Sequence, residues 1–254
     1  MALYFIGIGL SDENDITLKG LDLIKKSDVI YLENYTSLLN CPITNLEKLY
    51  GKKIILANRE LVEKHAETTI LKEAKEKNVS FLVVGDPLAA TTHFDLFTRA
   101  KSLNIPVTIV HNASVMTAIS ITGLQLYKFG KTTSIPFPSK GFEPETAYDI
   151  IKSNKSLGLH TLILLDLKPE EKKFMTISDS IKILLNIEEK RNECIFNKDT
   201  LCIGCSDLGS DSQIIKAGNA DVLLNAKFGS GLHCLIVPGK LHFIEQEAVQ
   251  QLKE

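Results

Sequence analysis

Short apolar runs alternate with segments of helical spacing through the first part of the chain. The runs cover residues 3–9, 29–32, 53–56, 80–84 and 106–110. A continuous apolar run of this length is typical of a strand buried on both faces. The intervening helices are predicted from Asp15 or Thr17 onward, over 60–77 and over 93–103. Strict alternation of strand and helix predicts a parallel sheet covered by helices.

Helical spacing also identifies the residues that should face the core. Leu18, Leu21 and Ile24 fall on one face of the first helix. Ala66, Ile70 and Ala74 do the same in the second, and Leu96, Ala100 and Leu103 in the third. Each set recurs at three- or four-residue intervals, which is the period of an amphipathic helix. We therefore expect all three faces to be buried.

The pattern changes after Ser114. A helix is predicted over 114–122, followed by a loop rich in proline and glycine over 136–144. Apolar runs then recur at 161–165, 201–205, 213–216 and 234–237, and one helix carries Ile181, Leu184, Leu185 and Glu188 on one face. This predicts a second α/β domain with a mixed sheet. We expect an N-terminal domain over 1–112 and a C-terminal domain over 113–254.

Composition excludes several classes of protein. The chain has 254 residues and a net charge of −2, without a basic tail, so binding of nucleic acid by charge alone is not expected. No apolar run approaches the roughly 20 residues that span a bilayer. The apolar start runs into Asp12 and Glu13 without a basic segment, which is unlike a signal peptide. Five scattered cysteines argue against a disulfide framework, and we expect a cytoplasmic protein.

Gly7 and Gly9 follow the first predicted strand and resemble part of a dinucleotide-binding turn. The third glycine of that fingerprint would stand at position 12, where the chain has Asp12. A carboxylate there would repel a pyrophosphate at the helix N-terminus. The segment is therefore either a tight structural turn or a site for a ligand whose polar end is neutral or cationic.

Two further strand ends carry candidate polar residues. Gly85-Asp86-Pro87 ends one buried strand, where ligands of open α/β sheets bind, although the aspartate could simply cap the next helix. Ser114 follows another strand, where it is either a helix N-cap or part of a ligand-binding turn. Histidines 93, 111 and 233 also fall at strand ends and could line a cleft or serve the core. No metal site is expected, because Cys202 and Cys205 should face opposite sides of a strand.

Taken together, these segments resemble the tetrapyrrole methylase superfamily of S-adenosylmethionine (SAM) enzymes. The resemblance rests on Phe5-Ile-Gly-Ile-Gly-Leu10, Val83-Val-Gly-Asp-Pro87 and Ala90-Thr-Thr-His93. More narrowly, further segments along the whole chain are similar to the diphthine synthase family. These are Tyr35-Thr-Ser37, His111-Asn-Ala-Ser114, Gly123-Leu-Gln-Leu-Tyr-Lys-Phe-Gly130, His160-Thr-Leu-Ile-Leu-Leu-Asp-Leu-Lys168 and Leu235-Ile-Val-Pro-Gly-Lys240.

The resemblance implies a SAM-dependent methyltransferase with no metal cofactor. Its substrate would be the 3-amino-3-carboxypropyl group on a histidine of translation elongation factor two, methylated three times on nitrogen and, in eukaryotic members, also on the carboxylate. It implies two α/β domains with SAM in the cleft between them, usually in a homodimer. The SAM contacts carried over to this chain are Leu10, Asp86, Ala89, Ser114, Val115, Leu165, Leu208 and His233.

One segment departs from the family pattern. Asp207 stands where relatives commonly carry arginine, which puts in doubt both an arginine contact with the acidic substrate and the contact assigned to Leu208. The residues identify no catalytic base, and His233 is the one candidate for it. The alternatives are a small-molecule tetrapyrrole methylase, which would share the cofactor residues, and an α/β binding module without SAM affinity.

Overall fold

The computed structural model describes residues 1–139 and 141–253. Contacts divide the chain into an N-terminal unit, Met1–Ala118, and a C-terminal unit that begins at Ile119. The sequence placed the division after residue 112, close to this point. Lys140, within the predicted loop 136–144, and Glu254 lie outside the described residues.

The N-terminal unit contains one five-stranded sheet in the order β3-β2-β4-β1-β5, and every pair is parallel. Its strands are β1 (Ala2–Gly7), β2 (Val29–Glu33), β3 (Ile55–Ala57), β4 (Asn78–Val83) and β5 (Val107–Val110). Its helices are α1 (Leu18–Lys26), α2 (Ile43–Tyr50), α3 (Arg59–Glu63), α4 (Ile70–Ala74), α5 (Phe94–Ser102) and α6 (Val115–Ala118). The predicted parallel α/β domain is confirmed.

Both faces of this sheet are buried, as the continuous apolar runs require. Phe5 and Phe81 pack on one face, while their chain neighbours Ile6 and Leu82 pack on the other. Successive side chains of a strand point to opposite faces, so each strand supplies both cores. Burying one such side chain stabilises the fold by about 1.5–3 kcal/mol.

Several local predictions were wrong. The helix expected over 60–77 is interrupted between α3 and α4, where the hydroxyls of Thr68 and Thr69 both donate to the carbonyl of His65. Threonine hydroxyls that bond nearby backbone groups compete with helix formation in this way. Ala66, Ile70 and Ala74 are nevertheless buried.

Two residues expected in the core are exposed at helix ends. Leu18, the first residue of α1, is 83% exposed because it directly follows the Thr17 cap, and Leu103 is 39% exposed just beyond α5. The helix expected over 114–122 is α-helical only in α6 and tightens into a 3₁₀ turn at Ile119–Thr122.

The C-terminal unit contains the expected mixed sheet, which has five strands in the order β11-β10-β12-β7-β6. The sheet strands are β6 (Thr133–Ile135), β7 (Thr161–Leu165), β10 (Leu201–Ser206), β11 (Ile214–Asn219) and β12 (His233–Val237), and β8 (Leu167–Lys168) pairs with β9 (Lys173–Phe174) in a small hairpin. Its helices are α7 (Thr146–Ser156), α8 (Ile177–Arg191), α9 (Ala220–Leu223) and α10 (Phe243–Gln251). Only the β6–β7 pair of the main sheet is parallel.

Candidate functional site

The candidate site of the N-terminal unit lies at the carboxyl ends of its parallel strands. The turn after β1 meets the turn after β4 at Gly9 and Gly85, where the Gly85 N–H donates to the Gly9 carbonyl at 2.6 Å. Both glycines have φ near +80°, which side chains rarely adopt. A Cβ on Gly7 would lie 2.5 Å from the Gly85 carbonyl oxygen. Glycine is therefore required for the two backbones to meet.

An aspartate and an asparagine connect these turns. The Asp15 carboxylate accepts the N–H groups of Leu10 and Ser11 at 2.9 and 2.7 Å. The Asn112 side-chain amide donates to the carbonyls of Gly7 and Asp15 at 3.0 and 2.9 Å. The ends of β1 and β5 are thus joined by side-chain bonds, which fixes the backbone that a ligand would meet.

Asp86 joins the turn after β4 to the segment after β5. One carboxylate oxygen accepts the Leu88 N–H at 2.9 Å. The other lies 2.7 Å from Nδ1 of His111 and accepts the Asn112 N–H at 3.2 Å. The Asp86 side chain is 11% exposed, whereas that of His111 is 69% exposed. A buried carboxylate therefore orients a surface imidazole at the edge where α/β proteins bind ligands.

The remaining predicted residues of this unit lie on the same edge. Ala89 is in the turn stabilised by Asp86, and it is half-buried, as is Leu10. Ser114 is buried and precedes α6, and its carbonyl accepts the N–H groups of Thr117 and Ala118. Val115 begins α6. The structure thus brings Leu10, Asp86, Ala89, Ser114 and Val115 to neighbouring turns, although their ligand contacts stay predictions.

The predicted residues of the C-terminal unit lie at one end of its sheet. Leu165 ends β7, and His233 begins β12 opposite Ser206, the last residue of β10. Leu208 follows two residues after Ser206 and is 9% exposed. The antiparallel register therefore places all three residues at the same sheet edge.

Asp207 occupies a constrained position at this edge. Its φ is +50°, and its N–H donates to the Leu232 carbonyl at 3.0 Å. A Cβ on Gly231 would lie 1.7 Å from an Asp207 carboxylate oxygen, so the carboxylate occupies the space above that glycine. Nδ1 of His233 accepts the Ile177 N–H at 3.3 Å. Burial lowers the pKa of His233, and the negative charge of Asp207 opposes this shift.

The histidine of the segment Ala90-Thr-Thr-His93 lies in the core. His93 is fully buried beneath the turn after β4, with its ring edge-on to Phe81 at 5.2 Å between centroids. Burial lowers the pKa of His93 to about 4, so the imidazole is neutral. The expected place at a strand end is wrong, because β4 ends at Val83 and His93 directly precedes α5, where its side chain faces the core.

His111 is expected from the sequence only at a strand end, lining a cleft or serving the core, and its contact with Asp86 is not predicted. The signal that could have identified it is its position directly after a buried parallel strand, like that of Asp86. Among residues 1–139 and 141–253, no group of three histidine, cysteine or acidic side chains is arranged to hold a metal ion. No helix in the same ranges is long and apolar enough to cross a membrane.

Comparisons with known proteins identify the family. Residues 2–223 match the model of the tetrapyrrole (corrin/porphyrin) methylases. The chain is 50% identical to diphthine methyl ester synthase of Dictyostelium discoideum, covering 97% of this chain and 96% of the relative. It is 46% identical to diphthine synthase of Methanocaldococcus jannaschii, with 99% of both covered.

The fold agrees with these identities. A crystal structure of a diphthine synthase superposes with a TM-score of 0.91 at 33% identity, covering 100% of this chain and 96% of that chain. Identity at this level over nearly the full length includes the C-terminal unit as well as the N-terminal one. The chain belongs to the tetrapyrrole methylase family and, within it, to the diphthine synthases.

Proposed function

We propose that this chain is the SAM-dependent methyltransferase of diphthamide biosynthesis. It methylates the 3-amino-3-carboxypropyl group on a histidine of translation elongation factor two, three times on nitrogen and once on the carboxylate. The observation that carries this proposal is the 50% identity, over nearly the whole chain, to a relative named diphthine methyl ester synthase. A small-molecule tetrapyrrole methylase is disfavoured because the similarity to diphthine synthases includes the C-terminal unit.

The turns of the N-terminal unit suit SAM in shape and charge. Gly7, Gly9 and Gly85 leave the backbone of these turns open to a ligand. A side chain at Gly7 would collide with the turn after β4, and one at Gly9 or Gly85 would strain a backbone with positive φ. Asp86 and Asp15 make the edge acidic, which suits a ligand with a cationic amine and neutral ribose hydroxyls. The same charge disfavours a dinucleotide pyrophosphate.

The family resemblance assigns cofactor contacts to five residues of this unit and to three residues of the C-terminal unit. We assign these contacts to Leu10, Asp86, Ala89, Ser114 and Val115, and to Leu165, Leu208 and His233. SAM supplies an electrophilic methyl group on a sulfonium. The apolar members exclude water, and Asp86 binds polar groups of the cofactor instead of acting at the sulfur. Holding the acceptor and methyl carbon in line supplies several kcal/mol of the rate enhancement.

The proposal includes the setting of the enzyme. We infer a cytoplasmic protein, because its acceptor is a translation factor and its five cysteines are free. We also infer a homodimer, in line with the family resemblance. Light scattering on the purified protein tests the second inference, and a monomer at micromolar concentration would contradict it.

The test of function is mass spectrometry of elongation factor two that carries the unmethylated precursor. After incubation with this protein and SAM, we expect a gain of four methyl masses on the modified histidine peptide. A gain of three would assign N-methylation without the ester. If no methyl group is added while calorimetry still shows SAM binding, the assignment of the substrate is wrong and the assignment of the cofactor stands.

A further inference from the structure

We propose that His111 is the general base that takes a proton from the acceptor amine before each N-methylation. This inference rests on the proposed function, because it concerns the same acceptor. Its origin is the pair formed by His111 and Asp86 at the ligand-binding edge of the parallel sheet. The residue was not among the predicted cofactor contacts.

The geometry fixes which ring nitrogen can accept a proton. Nδ1 of His111 lies 2.7 Å from a carboxylate oxygen of Asp86. An ionised carboxylate only accepts hydrogen bonds, so Nδ1 must carry the hydrogen. In the neutral ring, Nε2 is then the unprotonated nitrogen. The His111 side chain is 69% exposed. Among the residues that the structure describes, no other hydrogen bond to its ring is formed, so Nε2 is open to solvent.

Asp86 also fixes the orientation of the base. Its carboxylate is held by the N–H groups of Leu88 and Asn112, so it stays in place beside the ring. A fixed carboxylate holds an imidazole in one tautomer and one orientation. The turn after β1 adds three more carboxylates. Asp15 accepts the Leu10 and Ser11 N–H groups, Asp12 accepts the Asn14 N–H, and Glu13 accepts a bond from the Asn45 amide. No lysine or arginine pairs with Asp86 or His111 in the described chain.

N-methylation needs such a base, but ester formation does not. The acceptor amine is an ammonium ion at neutral pH and has no free electron pair. One proton must leave before each of the three attacks, and His111 Nε2 receives it and passes it to water. The amine nitrogen then bonds to the methyl carbon while the carbon–sulfur bond breaks and its electron pair stays on sulfur. A carboxylate is already nucleophilic, so the ester step requires no proton transfer.

The other histidines of the chain are less suited to this role. His93 and His160 are fully buried. Nδ1 of His233 accepts the Ile177 N–H, and its Nε2 is buried. His65 is exposed but lies in the turn between α3 and α4, paired only with surface Glu60 at 3.8 Å. His242 is exposed, but its ring packs against Phe243 at 4.3 Å between centroids. Among the histidines of the described residues, only His111 combines an orienting buried carboxylate with an exposed ring.

The experiment compares His111→Gln with His65→Gln, the same chemical change on a surface histidine. Initial rates of N-methylation are measured by mass spectrometry on the precursor factor from pH 6 to 9. Ester formation is measured separately on a factor whose amine is already trimethylated. Calorimetry gives the SAM dissociation constant, and ¹⁵N chemical shifts of the wild-type ring report its tautomer.

We expect His111→Gln to slow N-methylation by roughly 10²-fold at pH 7, the usual contribution of a positioned base. The deficit should shrink as pH rises, because solvent then deprotonates the amine. In His111→Gln, the rate of ester formation and the SAM dissociation constant should stay within threefold of wild type. In His65→Gln, the rate of N-methylation should also stay within threefold of wild type. The ring shifts should show hydrogen on Nδ1.

Three results would overturn the proposal. N-methylation by His111→Gln could equal that of the wild type at every pH. It could fall together with SAM affinity or ester formation, which would indicate a structural role. The ¹⁵N shifts could place the hydrogen on Nε2. A wild-type protein that adds no methyl group would instead contradict the proposed function.

Discussion

Each unit of the protein contains a histidine paired with a carboxylate, and the two pairs are built in opposite ways. In the N-terminal unit, Nδ1 of exposed His111 contacts Asp86. In the C-terminal unit, Nε2 of His160 lies 3.0 Å from Glu245, and both side chains are fully buried. Nδ1 of His160 accepts the Gly239 N–H at 3.0 Å, so neither ring nitrogen is available to a ligand.

The partners of the carboxylates explain the contrast. Glu245 accepts hydrogen bonds from the N–H groups of Gln125 and His242 at 3.0 and 2.7 Å, from His160, and from the ammonium of Lys128. These bonds join the start of α10 to the segment before β6 and to the start of β7. The Glu245 pair therefore holds backbone segments together, whereas the Asp86 pair leaves a ring nitrogen at the surface. A histidine–carboxylate pair can thus hold backbone segments together or present a ring nitrogen at the surface. Which of the two it does depends on whether its remaining polar atoms face the protein or the solvent.

The largest expected effect is the loss of stability in Glu245→Ala. Removing this carboxylate leaves Lys128 without its ion-pair partner and His160 without an acceptor. Breaking a buried ion pair from one side costs about 3–5 kcal/mol. We expect the free energy of unfolding from urea titration to fall by that amount. The surface variant Glu63→Ala, which loses only an exposed pair with Arg59, should cost less than about 1 kcal/mol. A Glu245→Ala protein as stable as this control would contradict a structural role.

Acid should weaken the C-terminal unit through the same carboxylate. Burial works to raise the pKa of Glu245, but hydrogen bonds from the His242 N–H and the Lys128 ammonium outweigh it and hold the pKa at about 2. Glu188 likewise has a pKa of about 2, because the Phe196 N–H and the Tyr148 hydroxyl outweigh its desolvation.

The pKa values of Glu245 and Glu188 lie below the ordinary value for a glutamate, so between these values the folded state binds fewer protons than the unfolded chain. Their stabilisation is complete above about pH 4.5 and is lost as pH falls toward 2. We expect Tm to fall across this window. The fall should be smaller in Glu245→Gln, which cannot ionise at this position. Identical pH profiles for the two proteins would show that Glu245 contributes nothing to acid sensitivity.

A smaller effect on stability than that of Glu245→Ala, and the clearest effect on ligand binding, is expected for Asp86→Ala. The variant loses the carboxylate that we assign to SAM, together with its contacts to the Leu88 N–H, the Asn112 N–H and Nδ1 of His111. We expect the SAM dissociation constant from calorimetry to rise more than tenfold. Asp95→Ala, a change at an exposed carboxylate paired with Arg99, serves as the control and should leave SAM affinity unchanged. Unchanged affinity in Asp86→Ala would remove this residue from the cofactor site.

The accuracy of the sequence predictions followed the strength of the local signal. The parallel sheet of the N-terminal unit was predictable because its strands are apolar on both faces. In the mixed sheet of the C-terminal unit, both ends of the strand Thr161–Leu165 were predicted correctly. Helix ends were less predictable. Leu18 follows a cap and faces solvent, and the threonines after His65 interrupt a helix whose apolar spacing continues. Periodicity reports which side chains can share a face, but not where hydroxyls compete for backbone carbonyls.

The candidate site was likewise predictable where the signal was local and unpredictable where it depended on distant residues. Glycine–aspartate turns after buried strands indicated where a ligand would bind, because parallel strands end at a common edge. The pairing of Asp86 with His111 was not predicted, since the two residues are 25 positions apart and meet only through the order of the strands.

By itself the sequence determined the two α/β domains, the family and the glycine turns, because these depend on local patterns of apolar, small and acidic residues. The tertiary structure alone decided which histidine is buried, which ring nitrogen is free and which carboxylate it contacts. Those properties depend on solvent exposure and on distances between residues far apart in the chain, which no local pattern contains.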